Sequence, residues 1–269
     1  MDIKRITSGL IGFPVVAIIL ILGNKYIVDV VFSIIAILCI HEFYKSFSVK
    51  SKPVQSIGYI MGAFIAVIHI IPIEFIMPLI TALIPLLIFV LFLHVIISNM
   101  EINVVDISIS LLGICYVIVF IMFLPLIYGL KMGNILIWYV FLAAWGTDIF
   151  AYLIGKKFGK HKLGNNKVSP NKSLEGCIAG IIGSILLIII YTIIINSVFG
   201  LEIPYLFALL LAIALSVVGQ IGDLAASSVK RYNEIKDFSN LIPGHGGMLD
   251  RFDSVIFIAP FAYFLLSMF

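Results

Sequence analysis

Charge is what this chain has least of: Asp, Glu, Lys and Arg make up 12% of its 269 residues, against about 25% in soluble domains. With 62% hydrophobic residues and a mean hydropathy of +1.21, so little charge excludes a water-soluble globular domain, a disordered chain and a coiled coil alike. The net charge of +3 is too small to mark a polyanion-binding surface, so no nucleic-acid partner is expected. Cysteine is scarce as well. Cys39, Cys115 and Cys177 show no Cys-x-x-Cys spacing, which excludes a zinc cage or a disulfide framework and leaves buried small hydrophobes as the expectation. There is no Gly-x4-Gly-Lys phosphate loop and no Gly-x-Gly-x-x-Gly, and His41-Glu42 lacks the second histidine of a zinc-protease helix. His69 and His94, in or beside apolar runs, are read as packing residues.

What the chain does have is apolar sequence in runs of membrane-spanning length, roughly 20 residues each. These runs fall near 9–22, 26–40, 57–71, 75–97, 107–124, 134–154, 178–199, 204–222 and 254–269, so an all-α polytopic membrane protein of about nine transmembrane helices in a lipid bilayer is expected. Lys4 and Arg5 precede the apolar run Leu10–Leu22 with the charge order of a signal peptide, but no small-x-small cleavage site follows. That segment is read as a retained first span. Lys and Arg accumulate in cytoplasmic loops. With the N-terminus cytoplasmic and the C-terminus outside, all of the 17 Lys and Arg residues except Lys25 and Lys131 lie on the inner side. The same topology puts the polar segments 155–176 and 223–253 together on the cytoplasmic face.

Between residues 57 and 130 the only charges are Glu74, Glu101 and Asp106, whereas 145–176 and 223–253 hold more than half of the chain's charged residues. Residues 1–130 are therefore read as N-terminal transmembrane helices serving as scaffold, homodimer surface or lipid path, three roles the sequence leaves open. Residues 131–269 are read as the catalytic half.

In the segment 223–253, Asp223, Ser227, Lys230 and Glu234 recur at i, i+4, i+7 and i+11 and would share one face of a helix continuing from the eighth span. Pro243-Gly244-His245-Gly246-Gly247 cannot be helix interior; a glycine-rich bend lets backbone N–H groups approach an anion. Asp250 and Asp253, three apart in the first turn of the last helix, would suit a hard divalent cation that also holds phosphates; the alternative is a helix cap. Asp148 sits inside an apolar span, where an acid costs roughly 2.5 to 3.5 kcal/mol on insertion scales, so it should face a partner or a polar cavity. The loop after it carries five lysines and then Ser169-Pro170-Asn171-Lys172-Ser173-Leu174-Glu175-Gly176.

Ser227-x-Val229-Lys230-Arg231-x4-Lys236-Asp237-x-Ser239-x2-Ile242-Pro243-x-His245-Gly246-Gly247-Met248-x-Asp250-Arg251-Phe252-Asp253 closely resembles the signature of phosphatidate cytidylyltransferases, also called CDP-diacylglycerol synthases. Asp148-x-x-Ala151-Tyr152-x-x-Gly155, the Ser169–Gly176 turn and Gly222-Asp223-Leu224 also look like that family's. The resemblance implies the reaction CTP + phosphatidate → CDP-diacylglycerol + pyrophosphate in phospholipid biosynthesis, dependent on Mg²⁺ with room for a second metal ion. It also implies an integral protein of a bacterial plasma membrane with its active site facing the cytoplasm. On this reading Asp223, Asp250 and Asp253 are metal-ligand candidates, with Asp148 and Asp237 as further ones. Lys230, Arg231, Lys236 and Arg251 would meet CTP phosphates and leaving pyrophosphate. Ser169, Lys172, Ser173 and Ser227 would hold nucleotide or lipid phosphate, and His245, Gly246 and Gly247 would shape the phosphate cradle. The rivals are a CTP-dependent polyprenol or phytol kinase, whose alcohol acceptor would need a general base, and, from another class, a secondary transporter.

Overall fold

A computed structural model describes residues 16–163, 168–242, 244 and 246–268. Lys4, Arg5, Lys167, Pro243 and His245, all used in the sequence reading, lie outside the described residues. Every regular element among the described residues is helical, and pairing is limited to the isolated bridges Lys162–Ser173 and Ile242–Gly246. The all-α expectation therefore holds.

Residues 16–22 are helical (α1), followed by α2 (Lys25–Ser46), whose start is capped by Asn24 accepting from the Ile27 amide at 3.0 Å. The next apolar run forms α3 (Gln55–Phe64) and tightens into a 3₁₀ segment, Ile65–Ile70. Two prolines, Pro78 and Pro85, are accommodated inside α4 (Ile73–Ile97). A capping box between Asn103 and Asp106 opens α5 (Val104–Gly113), which passes through a π segment, Ile114–Val119, into α6 (Phe120–Tyr128). The turn α7 (Gly133–Leu136) leads into α8 (Trp138–Phe158). After the lysine-bearing loop come α9 (Leu174–Phe199), ended by Gly200 in the left-handed region at φ 62°, and α10 (Tyr205–Tyr232). The last helix is α11 (Leu249–Leu266).

Six helical stretches among the described residues are long and apolar enough to cross a membrane: Lys25–Ser46, Glu74–Ile97, Val104–Tyr128, Gly133–Phe158, Leu174–Phe199 and Tyr205–Tyr232. They match six of the nine expected runs. Of the other three, the first lies partly outside the described residues, 57–71 is the shorter helix Gln55–Ile70, and 254–269 is carried by α11, whose first five residues include Asp250, Arg251 and Asp253. At 28 residues α10 is about 42 Å long, more than a hydrocarbon core of about 30 Å requires, so its polar last turns have length to spare.

By contact the chain divides into two units, one of residues up to Gly129 together with Asn233–Arg251, the other of Leu130–Tyr232 with Phe252–Phe269. The first is organised around α2. Tyr44 donates to the Ser110 carbonyl at 2.8 Å and Ser33 to the Gly62 carbonyl at 2.9 Å, and Asp106 accepts from the Lys52 amide at 2.7 Å. His69 is not a plain packing residue: its Nδ1 lies 2.6 Å from Oδ1 of the fully buried Asp29. In the second unit α8 and α9 pack backbone to backbone. A Cβ at Gly180 would stand 3.0 Å from the Thr147 carbonyl oxygen, and one at Gly176 would stand 3.0 Å from that of Ala151, the small-residue contact that lets membrane helices approach closely. Buried hydroxyls are satisfied across these helices, Thr147 to Ser216 at 2.7 Å and Tyr139 with Thr192 at 2.8 Å.

Candidate active site

The close approach of α8 and α9 leaves a cavity of about 430 Å³ beside it in the second unit, walled by Thr147, Asp148, Tyr152 and Lys156 of α8, the turn Ser169–Ser173, Gly176 and Cys177 of α9, and Gln220 and Asp223 of α10. The α9 wall is fixed by the turn that precedes it. Ser173 is the N-cap of α9, accepting from the Gly176 amide at 3.1 Å. His161 donates its amide to Glu175, and its Nδ1 lies 2.6 Å from Oε1 of that carboxylate. The strand-like pairs Leu163 N to Lys172 O at 3.1 Å and Leu174 N to His161 O at 2.8 Å hold the turn against the end of α8. Ser173, expected as a substrate contact, caps α9 and also lines the cavity, together with Ser169 and Lys172.

Across that cavity Lys172 Nζ meets Asp223 Oδ2 at 2.6 Å, with a quarter to a third of each side chain exposed (25% and 31%). Asp148 lines the same cavity from α8, as an acid inside a span should. Asp253, 8% exposed, lies within electrostatic reach of Asp223, Asp148 and Lys230. Its Oδ1 accepts from the Ser254 amide at 2.7 Å. Gly222 makes this neighbourhood possible, because a Cβ there would stand 2.9 Å from the Asp253 carbonyl and 2.7 Å from the Phe257 Cβ. Asp223, Ser227 and Lys230 do share one face of α10, but Glu234 does not continue it: the helix ends at Tyr232 and Glu234 adopts φ 56°. Arg231, at that helix end, reaches the Val168 carbonyl at 3.4 Å.

These carboxylates can be tested against the divalent ion that the resemblance implies. Among the described residues no three His, Cys, Asp or Glu side chains converge on one point as a protein-only cage would require. Magnesium is usually held by one or two carboxylates with substrate phosphates and waters completing its octahedron. The buried Asp253, which feels the charges of Asp223, Lys230 and Asp148, and Asp223, paired with Lys172, are hard carboxylate oxygen donors of the type such an ion takes.

In the first unit the segment between α10 and α11 is pinned by two buried acids. Asp250 Oδ2 accepts from the amides of Phe238 at 2.8 Å and Gly247 at 2.9 Å. Glu42 of α2 accepts from Ser239 Oγ at 2.6 Å and from the amides of Met248 at 2.9 Å and Leu249 at 2.8 Å. Gly247 fits here because a Cβ would run into the Glu42 carboxylate, which its three hydrogen bonds hold in place. The glycine-rich bend closes through Ile242 N to Gly246 O at 2.9 Å, with Gly244 and Gly246 at φ 79° and 80°. The amides at the start of α11 are therefore held by Glu42, not by the Asp250 cap considered from the sequence. Lys236, Asp237 and Arg251 are exposed on this unit.

Two residues escaped the sequence reading. Glu42 is an acid at the end of an apolar run, the same signal that singles out Asp148, and the incomplete zinc-protease motif His41-Glu42 gives it no role. Cys177 lines the cavity and is only partly buried, and Cys115 is exposed, so of the three free thiols only Cys39 is the buried hydrophobe expected.

Residues 3–269 match the model of the cytidylyltransferase family. The phosphatidate cytidylyltransferase of Bacillus subtilis (strain 168) is 47% identical over 137 residues, 51% of this chain and 49% of that protein. Those of Staphylococcus haemolyticus (strain JCSC1435) and Staphylococcus aureus (strain COL) are 38% and 36% identical over 179 and 178 residues, in each case 66% of both chains. The chain thus spans about half the length of the Bacillus relative and just under two thirds of the staphylococcal ones.

Proposed function

Since the chain belongs to the cytidylyltransferase family, we propose that it transfers the cytidylyl group of CTP to phosphatidate, giving CDP-diacylglycerol and pyrophosphate for phospholipid synthesis. The observation that carries this reading is the cavity of the second unit, where Lys172 and Asp223 meet at 2.6 Å beside Asp148 and Ser169, all from the motifs that resemble the family's. Its volume, about 430 Å³, falls in the range of small-ligand sites.

In this reaction a phosphate oxygen of phosphatidate attacks the α-phosphorus of CTP. The new P–O bond forms as the α–β bridging bond breaks, and the electron pair leaves with pyrophosphate. The attacking oxygen is already anionic, so the barrier is mutual repulsion and charge on the leaving group, not removal of a proton. Bound Mg²⁺ would supply divalent charge against that repulsion, with Asp223 and Asp253 as its holders and Asp148 as a third acid. Lys172 and Lys230 place fixed positive charge in the same unit, and Ser169 and Ser227 offer hydroxyl donors. The other phosphate contacts expected from the sequence, Lys236, Arg251, Gly246 and Gly247, belong to the first unit. We extend the proposal to a second ion, with Asp148 as the further acid of this unit.

We further propose nine spans with the N-terminus cytoplasmic, the C-terminus outside and the acids near the inner interface of a bacterial plasma membrane. CTP then arrives from the cytoplasm while the acyl chains stay in lipid. The test is to incubate the purified chain with CTP labelled in the cytidine ring, Mg²⁺ and either phosphatidate or a polyprenol. A cytidine-labelled lipid formed from phosphatidate is expected. Phosphorylated polyprenol with free CDP would show the kinase instead, and substrate flux in sealed vesicles without CTP turnover would show a transporter.

A further inference from the structure

The sequence gives residues 1–130 no chemistry, yet α2 sends one buried carboxylate into the signature segment. Glu42 is 3% exposed, and among the described residues its three donors come from Ser239–Leu249. One turn further along α2, Ser46 Oγ accepts from Asn233 Nδ2 at 3.3 Å. The same helix therefore holds the beginning of the segment at Asn233, its middle at Ser239 and its end at Met248 and Leu249. Asp250 ties Phe238 to Gly247 from within. A buried carboxylate is tolerated only when donors replace its water, and among the described residues every donor to Glu42 is in the segment that carries Lys236, Asp237 and the glycine-rich bend.

We infer that Glu42 is a positioning residue of the proposed cytidylyl transfer: it fixes the conformation of segment 233–249, and thereby the placement of Lys236 and of the backbone amides of the bend. This rests on the function proposed above. The carboxylate accepts on both oxygens, from two donors on Oε1 and one on Oε2. In Glu42→Gln one of these oxygens becomes an amide nitrogen that cannot accept, so at least one donor is left unpaired at nearly unchanged volume. Hydrogen bonds to charged groups carry enough free energy that losing one corresponds to about a tenfold change or more.

The experiment compares wild type, Glu42→Gln, Glu42→Asp and, as a control acid of the same unit outside the segment, Asp106→Asn. It measures kcat and KM for CTP in the phosphatidate assay, and hydrogen exchange of backbone amides in the full-length protein. For Glu42→Gln, kcat/KM for CTP should fall at least about tenfold, with faster exchange at Met248 and Leu249 and unchanged protection in α8 and α9. Glu42→Asp, which keeps the charge, should recover part of the activity, and Asp106→Asn should leave the kinetics alone. Glu42→Gln with wild-type kinetics overturns the inference, whether or not the amides loosen. So does a loss of activity accompanied by loss of protection throughout the chain. A wild-type chain that makes no cytidylyl lipid overturns the proposed function instead, and the amides of Met248 and Leu249 then still report whether Glu42 holds the segment.

Discussion

Replacing Lys172 by Met keeps most of the side-chain volume and removes the charge that meets Asp223 at 2.6 Å. Two effects of different size follow. Both side chains are a quarter to a third exposed, so the pair is solvent-screened and its net contribution to stability is about 1 kcal/mol or less. In the proposed reaction the same ammonium sits where phosphate charge accumulates, and removing one preorganised charge partner of a transition state costs about 10²–10³ in rate, near 3–4 kcal/mol. Lys172→Met should therefore lower kcat for cytidylyl transfer about a hundredfold or more while thermal unfolding in detergent shifts by only a few degrees. Lys172→Arg keeps the charge on a larger, planar fork and should retain an intermediate rate. Steady-state turnover of labelled CTP beside a thermal melt reads both effects. Turnover of Lys172→Met within about threefold of wild type would refute the assignment of this pair to the reaction, because no screened surface pair could then be separated from a catalytic one.

Asp250→Asn can keep both amide bonds now made to Oδ2 on its one carbonyl oxygen and loses the charge; it should reduce turnover severely while the protein inserts and stays folded, checked by activity per unit of monodisperse protein. Gly180→Leu would drive a side chain into the Thr147 carbonyl at 3.0 Å and separate α8 from α9, so it should cost several kcal/mol of stability, on the scale of overpacked or strained core substitutions, and appear as aggregation or a large drop in melting temperature. His69→Ala removes the 2.6 Å side-chain partner of the buried Asp29 carboxylate and keeps the residue-69 amide that donates to it at 3.3 Å; it should destabilise by about 1.5–3 kcal/mol, the scale of a hydrogen bond to a charged group, and lower kcat/KM no more than its folded fraction falls.

Features that depend on local sequence were legible without coordinates. The shared face of Asp223, Ser227 and Lys230 follows from helical spacing in a run that stays helical to Tyr232. The cavity-facing position of Asp148 follows from the cost of an acid in a span. The non-helical bend follows from its glycines and proline. Features that depend on pairing between distant segments were not. Lys172 and Asp223 lie on different elements, and nothing in either motif says that they touch. Glu42 meets donors about 200 residues later in the chain, so its purpose is invisible in the run Cys39–Tyr44. The same limit explains the division of the molecule. Sequence order assigns 233–251 to the catalytic half, whereas its contacts join it to the unit built on α2. Local reading also misjudged His69, whose apolar neighbours hide a partner on another helix.

The central claim is that Asp223 and Asp253 hold a divalent ion for the transfer. Mn²⁺ binding to the purified protein in the presence of CTP, followed by electron paramagnetic resonance, tests it without relying on turnover. Wild type should bind Mn²⁺ in competition with Mg²⁺, Asp223→Asn and Asp253→Asn should each weaken that binding by about tenfold or more, as loss of a charged ligand requires, and Asp106→Asn should bind as wild type does. Unchanged Mn²⁺ affinity in both Asp223→Asn and Asp253→Asn would contradict the account.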